Sequence, residues 1–376
     1  MKEQLKEIAY GLKERLTQMS DYIHDHPELG NEEHEAARVL TSFLAEHGFQ
    51  VECPFEGFDT GFRATFDSKK EGPAIGYICE YDALPEIGHG CGHNMIGTMS
   101  AGAAVTLSKV VNETGGRVVV VGTPAEETNG AKVHYSEIGV FDELDAAMMV
   151  HPADYTKASG SFNAIYPIQF TYRGQTAHAA ACPEKGINAL NSVIQLFNGI
   201  DALRQHVTPD VRMHGIITKG GVAANVVPDE AVAQFYFRAE TKETLETVLG
   251  KVRTIAQGAA MMTGAVLEME TYELAYDNLV TNEALSSAFN SNLKELGITS
   301  IKDPVKSGSS SDIGNVSHRV PTIHPYIGIK DCACTSHTRE MAAATKTEFA
   351  HERLCIGCIA LAQTGYDIIT RQVVLR

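Results

Sequence analysis

The sequence predicts an α/β protein: a mixed, mostly parallel sheet between helices, with a smaller ferredoxin-like α+β domain inserted into it. Three observations lead there. Up to about residue 163, short β-type runs alternate with helical periodicity, the order that yields parallel strands covered on both faces. From 164 to 274 the order becomes strand, helix, two strands, helix, strand, which is the split βαβ arrangement. A chain of 376 residues also exceeds one ordinary hydrophobic core, so a larger and a smaller domain are expected. The expected division is 1–163 for the first part of the large domain, 164–274 for the insertion and 275–376 for the return.

Each element follows from local pattern. Leu5, Ile8, Ala9, Leu12 and Leu16 fall at helical spacing, and Pro27 and Gly30 in "HDHPELGNEE" end that helix. A second helix covers about 33–47, with Gly48 as its stop. "FQVECPF", "FRATFD" and "AIGYICEYD" read as strands, "MIGTMSAGAAVTLSKVV" as a helix rich in small residues, and "RVVVVGTP" as a buried strand. "GAKVHYSEIG" is a helix and "DAAMMVHP" a further strand. In the insertion, "YPIQFTYRG", "RMHGIITKGG", "AVAQFYFRAET" and "VLEMETYEL" are strands. They are separated by the helices "GINALNSVIQLFNGIDALRQHV" and "KETLETVLGKVRTIAQGAAMMTG". A C-terminal helix runs through "KTEFAHERLCIGCIALAQTGYDIIT".

Composition narrows the function. A formal net charge of −16 repels nucleic acid and anionic membranes, so neither is an expected partner. No run of about 18 apolar residues suggests a membrane span. "MKEQLKEIAYGLKERL" is charged and amphipathic, unlike a signal peptide, and eight scattered cysteines read as reduced thiols, so a cytoplasmic location is expected.

Ligands of open α/β sheets sit beyond the carboxyl ends of the strands. Asp82, the pair Glu126 and Glu127, and His151 each follow a different predicted strand and would share one rim. "GHGCGHN" sets Cys91 between glycines beside His89 and His93. Alone, that stretch is compatible with a metal ligand, a nucleophile or a buried thiol, but its glycines allow a close backbone approach that a core cysteine does not need. The acids of "PAEET" suit a hydrolytic metal site, which needs a ligand carboxylate and a general base; the alternative is a helix N-terminus that favours acids. "CIGC" at 355–358 has zinc-motif spacing but lies in an amphipathic helix without a second pair, and reads as core packing. "DCACTSH" leaves a local metal clip of Cys332, Cys334 and His337 open.

Taken in order, "GHGCGHN", "TPAEE", "HP" at 151–152, "GQTAHAA", "GGVAANVVPDE" and "TSHTRE" resemble the amidohydrolase branch of the metal-dependent aminoacylase and carboxypeptidase superfamily. That branch includes auxin-conjugate hydrolases, aminobenzoyl-glutamate hydrolases and related dipeptidases. The resemblance runs from "HDHPELGNEE" to "TSHTRE", nearly the whole chain. It implies a zinc-peptidase-like catalytic domain with a lid and dimerisation insertion, two divalent ions per subunit, Zn²⁺ or Mn²⁺, and a homodimer or higher homo-oligomer. Carried over by motif, Cys91, His93, Glu127, His151 and His337 would be metal ligands, Glu126 the general base, and Asp82 a carboxylate that orients a ligand. His178 would stabilise the oxyanion from a partner subunit, and Asn225 and Arg238 would contact substrate, Arg238 being suited to a carboxylate.

Two positions depart from the pattern: Glu80 stands where the superfamily has a ligand histidine, and Asn94 where the branch often has Asp. The expected reaction is hydrolysis of the amide bond of a small dipeptide, an aminobenzoyl-glutamate-like compound or an N-acyl amino acid with a free carboxylate. Two rivals stand beside it. A cysteine hydrolase with Cys91 as nucleophile and His93 as base leaves Glu126, Glu127, His151 and His337 without roles. A metal-free binding or scaffold homologue would keep the fold alone.

Overall fold

Unbroken apolar runs become strands covered on both faces, and the first sheet of the computed structural model follows that rule. Residues 1–329 and 335–375 are described; Cys332 and Cys334 lie outside them. The chain opens with α1 (Lys2–Asp25) and α2 (His34–Glu46), followed by β1 (Gln50–Glu52), β2 (Phe62–Asp67) and β3 (Ala74–Cys79). Then come α3 (His93–Thr114), β4 (Arg117–Gly122), α4 (Ala131–Glu137), β5 (Ala146–Met148) and β6 (His151–Ala153). Every residue of β3 is buried, as is the Val118–Val121 run of β4.

The inserted elements are β7 (Ala164–Arg173), α5 (Ala189–Leu203), β8 (Arg212–Lys219), β9 (Glu230–Ala239), α6 (Lys242–Thr263) and β10 (Val266–Glu270). The chain closes with α7 (Glu283–Glu295), α8 (Ile313–Ser317), β11 (Thr322–Ile323), β12 (Tyr326–Gly328), α9 (Arg339–Ala344) and α10 (Glu348–Ile369).

Six strands form the large sheet in the order β1-β2-β4-β3-β5-β11. β3 runs parallel to β4 and β5, and β11 parallel to β5, while β1 and β2 are antiparallel additions at one edge. α3 packs against α1 and α10, and Cys355 and Cys358 of α10 are buried among apolar side chains. The second sheet, β10-β7-β9-β8, is antiparallel throughout, which is the strand order of a ferredoxin-like domain. Its own core joins Phe170, Phe235 and Phe237 to Leu196 of α5 and Val252 of α6. The caps of these helices match their sequence: Asn188 accepts from the Asn191 N–H at 3.1 Å and Thr241 from the Thr244 N–H at 3.2 Å.

One compact unit comprises Met1–Ser161, Leu279–Ser307 and the described residues from Ser311 onward; the other comprises Phe162–Asn278 with Gly308–Ser310. α7, α8, α9, β11 and β12 carried no sequence expectation, and β11 and β12 are too short to show a period of two. Among the described residues no helix is long and apolar enough to cross a membrane.

Candidate metal centre and catalytic site

Because β3, β4 and β5 are parallel neighbours, their carboxyl ends lie at one edge of the sheet. Asp82, the Glu126–Glu127 pair and His151 all follow those ends. The "GHGCGHN" loop meets them there. Gly92 caps α3 with φ +83°, and a Cβ on it would lie 2.4 Å from Pro152 Cγ; a Cβ on Gly90 would meet Thr338 O at 3.0 Å. The glycines let the loop close down, so that α3 begins at His93 and the Gly90 carbonyl accepts the His337 N–H at 2.9 Å. That bond joins the late "TSHTRE" segment to the early loop.

Three donor groups result among the described residues, each with its ligand atoms within 4.8 Å of one another: Cys91, His93 and His151; Cys91, Glu127 and His337; and His93, Glu126 and Glu127. The first two share Cys91. His93 Nδ1 lies 2.7 Å from Asp82 Oδ1, which assigns its proton to Nδ1 and turns Nε2 inward. Asp82 Oδ2 also accepts the Glu127 N–H at 2.9 Å, so one buried carboxylate orients two candidate ligands. His151 donates from Nδ1 to its neighbour's carbonyl, Pro152 O, at 2.7 Å, leaving Nε2 facing Cys91 Sγ at 3.4 Å. Glu127 Oε1 lies 3.2 Å from His337 Nε2 and 3.9 Å from His93 Nε2.

The electrostatics agree with a cation site. Burial disfavours charge on His93, yet the Asp82 carboxylate and Cys91 raise its proton affinity well above the usual imidazole range. Burial also works against Glu127, but the His337 hydrogen bond and the charge of His93 hold its carboxyl low. His337 is pushed up to about 10 by Cys91 and Glu127. His151, by contrast, is lowered by burial and by its imidazole neighbours, so it stays a neutral donor. Surroundings that hold a proton on an inward nitrogen would hold a metal ion there instead.

Glu126 is the member of the third group whose acidity is shifted the other way. Burial and the negative charges of Glu80 and Asp312 raise its carboxyl, the direction a base requires near neutral pH. Its Oε1 accepts the Ser311 hydroxyl at 2.7 Å. Behind it lies an ionic cluster that sequence reasoning missed: Lys132, fully buried, sets Nζ 2.8 Å from Glu80 Oε1 and 2.7 Å from Asp312 Oδ1. Glu80 thus turns one oxygen to a lysine, while Oε2 stands 3.8 Å from His93 Nε2. His324, whose ring centroid is 5.4 Å from that of His151, was missed as well; it follows β11 and obeys the same strand-end signal. His89 is buried outside the donor groups, and burial depresses its imidazole to about 3. Asn94 is buried and donates to Ser20 Oγ at 3.0 Å, a packing role.

In the second unit, His178 and Asn225 come together. The Asn225 carbonyl accepts the Ala179 N–H at 3.0 Å, and His178 forms a bridge with Val226. His178 Nδ1 accepts from the N–H groups of Ala180 and Ala181 at 3.2 Å each, which places its hydrogen on an exposed Nε2. Arg238 donates to Ser310 Oγ at 3.1 Å and sets its guanidinium 5.9 Å from the centroid of the Tyr236 ring.

The donor set fits divalent metal. Among the described residues, His93 Nε2 is a buried nitrogen without a hydrogen-bond partner, close to the other donors, and a thiol, imidazoles and carboxylates together suit a divalent ion. Comparison with known proteins agrees with the geometry. Residues 167–261 match the peptidase dimerisation domain of the M20 peptidases. The chain is 36% identical to the Xaa-Arg dipeptidase of Mus musculus, over 96% of this chain and 87% of that protein. It is 33% identical to one of the p-aminobenzoyl-glutamate hydrolase subunits of Escherichia coli, over 76% of this chain and 63% of that protein. Among solved structures, a Bacillus subtilis dinuclear metal-binding peptidase of the M20 family superposes with a TM-score of 0.69 at 20% identity, covering 94% of this chain and 99% of that one. With a dipeptidase relative matched along nearly its full length, a peptidase dimerisation domain and clustered metal donors on the expected fold, the chain belongs to the M20 family and is a metal-dependent amidohydrolase.

Proposed function

We propose that this protein is a dipeptidase-type amidohydrolase, taking small dipeptides with a free carboxylate, and that its centre is dinuclear. The observation that carries the second part is the sharing of Cys91 between two donor groups. One ion would be held by Cys91, His93 and His151 and the other by Cys91, Glu127 and His337. When bound, the ions would polarise the scissile carbonyl and acidify the attacking water. Glu126 takes the proton of that water and returns it to the leaving nitrogen as the C–N bond breaks. Asp82 keeps His93 and Glu127 aimed. Preference for dipeptides rests on the similarity to the Xaa-Arg dipeptidase. Elemental analysis, with hydrolysis of Xaa-Arg and other dipeptides, aminobenzoyl-glutamate and N-acyl amino acids measured before and after chelation, tests the reading. Chelator-insensitive turnover, or none on any dipeptide, would overturn it.

His178 is proposed as the oxyanion donor. Its Nδ1 is occupied by two backbone N–H groups, which leaves Nε2 as the ring's donor. His178→Ala is expected to lower kcat by about 10²–10³-fold with metal content unchanged; a kcat near that of the wild type would remove the role. Arg238 and Asn225 are proposed substrate contacts, Arg238 for the carboxylate.

The dimerisation-domain match favours a homo-oligomer, proposed to be a homodimer through β8. β8 is an edge strand with Ile216 63% and Ile217 45% exposed, a face that invites pairing with a second copy. The double substitution Ile216→Lys with Ile217→Lys is expected to give monomers in sedimentation, with turnover lost if His178 acts across the interface. Monomers that retain full activity would place the oxyanion donor within one chain.

A further inference from the structure

We propose that Ser311 is the positioning residue of the base. It holds one oxygen of the Glu126 carboxylate so that the other carries the proton. The inference rests on the reading of Glu126 as general base.

The geometry comes from three sides. Ser311 is buried, 6% exposed, and its Oγ lies 2.7 Å from Glu126 Oε1. The Ile313 N–H approaches the same Oγ at 3.5 Å, which fills an acceptor direction and leaves the hydroxyl hydrogen for Glu126. A freely rotating hydroxyl thereby becomes a directed donor.

The backbone that carries Ser311 is itself pinned. The next residue, Asp312, is fully buried and receives the Lys132 ammonium on Oδ1 at 2.7 Å and the Lys132 backbone N–H on Oδ2 at 3.3 Å. Lys132 is held on its other side by Glu80 at 2.8 Å. Gly130 lies so close that a Cβ there would fall 2.0 Å from Asp312 Oδ2, so the fit leaves no room for a side chain. Three buried charges are a poor device for stability, since apolar residues of the same volume do as well or better. They make sense as a clamp that fixes where Ser311 points.

The chemical consequence is directional. A carboxylate that shuttles a proton has two equivalent oxygens and free rotation about its last bond. With Oε1 bound to Ser311, the proton transfer falls to Oε2. The water O–H bond breaks as its oxygen bonds the carbonyl carbon and its hydrogen moves to Oε2; the same hydrogen then leaves Oε2 for the amide nitrogen as the C–N bond breaks. In this scheme Ser311 acts through Glu126.

The test compares Ser311→Ala, Ser311→Thr and Glu126→Gln with the wild type, measuring kcat, KM and metal content on the dipeptide turned over fastest. Ser311→Ala is expected to lower kcat about ten-fold with KM and metal content unchanged, the size expected when a hydrogen bond to a charged group is lost. Ser311→Thr, which keeps the hydroxyl, is expected to restore kcat to within about three-fold of the wild type. A role in folding alone would lower metal content or stability and would not separate kcat from KM. Unchanged kcat in Ser311→Ala, or a loss that Thr does not restore, overturns the proposal. Glu126→Gln tells the two readings apart: if it is inactive while Ser311→Ala is normal, only the serine fails. If Glu126→Gln retains wild-type turnover, the base assignment fails and takes the serine with it.

Discussion

Replacing Glu126 by Gln is expected to lower kcat by about 10²–10⁴-fold, the range general acid–base catalysis supplies, while the protein keeps its metal. Gln has the same shape, and its carbonyl oxygen still accepts the Ser311 hydroxyl that now bonds Oε1 at 2.7 Å. What it loses is the basic oxygen. The two donor groups that share Cys91 do not include Glu126, so the ions should stay bound. The measurement is kcat and KM on a dipeptide with metal content on the same preparation. An inactive variant that has also lost metal would make Glu126 a ligand rather than the base. An active one would remove it from the mechanism.

Cys91→Ala is expected to have the second large effect, and a distinctive one: loss of both ions at once, with turnover abolished. The thiol belongs to both groups, whereas His151 and His337 each belong to one. His151→Ala and His337→Ala should therefore each release about one of about two ions, and Cys91→Ala both. Elemental analysis of the three variants reads this directly. If Cys91→Ala abolished turnover without changing the metal content, the thiol would be a nucleophile, as in the cysteine-hydrolase alternative. If it lost one ion only, the sharing seen in the geometry would not describe the bound state.

Much of this site is legible along the chain because strand ends are. An apolar run such as "RVVVV" has to be buried, so the acids placed immediately beyond it must stand at the rim of the sheet. The same reasoning reached Asp82 and His151, and would have reached His324 had the two-residue strand β11 been long enough to show itself. The glycines flanking Cys91 were informative for a related reason: Gly92 takes a positive φ, and a Cβ on Gly90 or Gly92 would collide with the neighbouring segments.

Lys132 shows the opposite case. It lies in the short helix of "GAKVHYSEIG", where it carried no expectation, yet it is fully buried. Nothing local demands that. Its partners, Glu80 and Asp312, come from far apart in sequence, and an ammonium leaves water only where two carboxylates are already waiting. Glu80, which stood out as a departure from the family's pattern, makes sense through that lysine.

Local signals along the chain therefore settled most of the elements and their order, and the strand ends that carry Asp82, Glu126, Glu127 and His151, since periodicity, caps and strand ends depend on neighbours within a few positions. Folding settled which nitrogen of His93 faces inward, which oxygen of Glu126 is engaged, and which charges share a buried cluster. Those depend on hydrogen bonds and ion pairs between segments as distant as Asp82 with His93, Glu126 with Ser311, and Lys132 with Asp312. Such pairings carry no pattern in one dimension, because their energy exists only where water has been excluded from both partners.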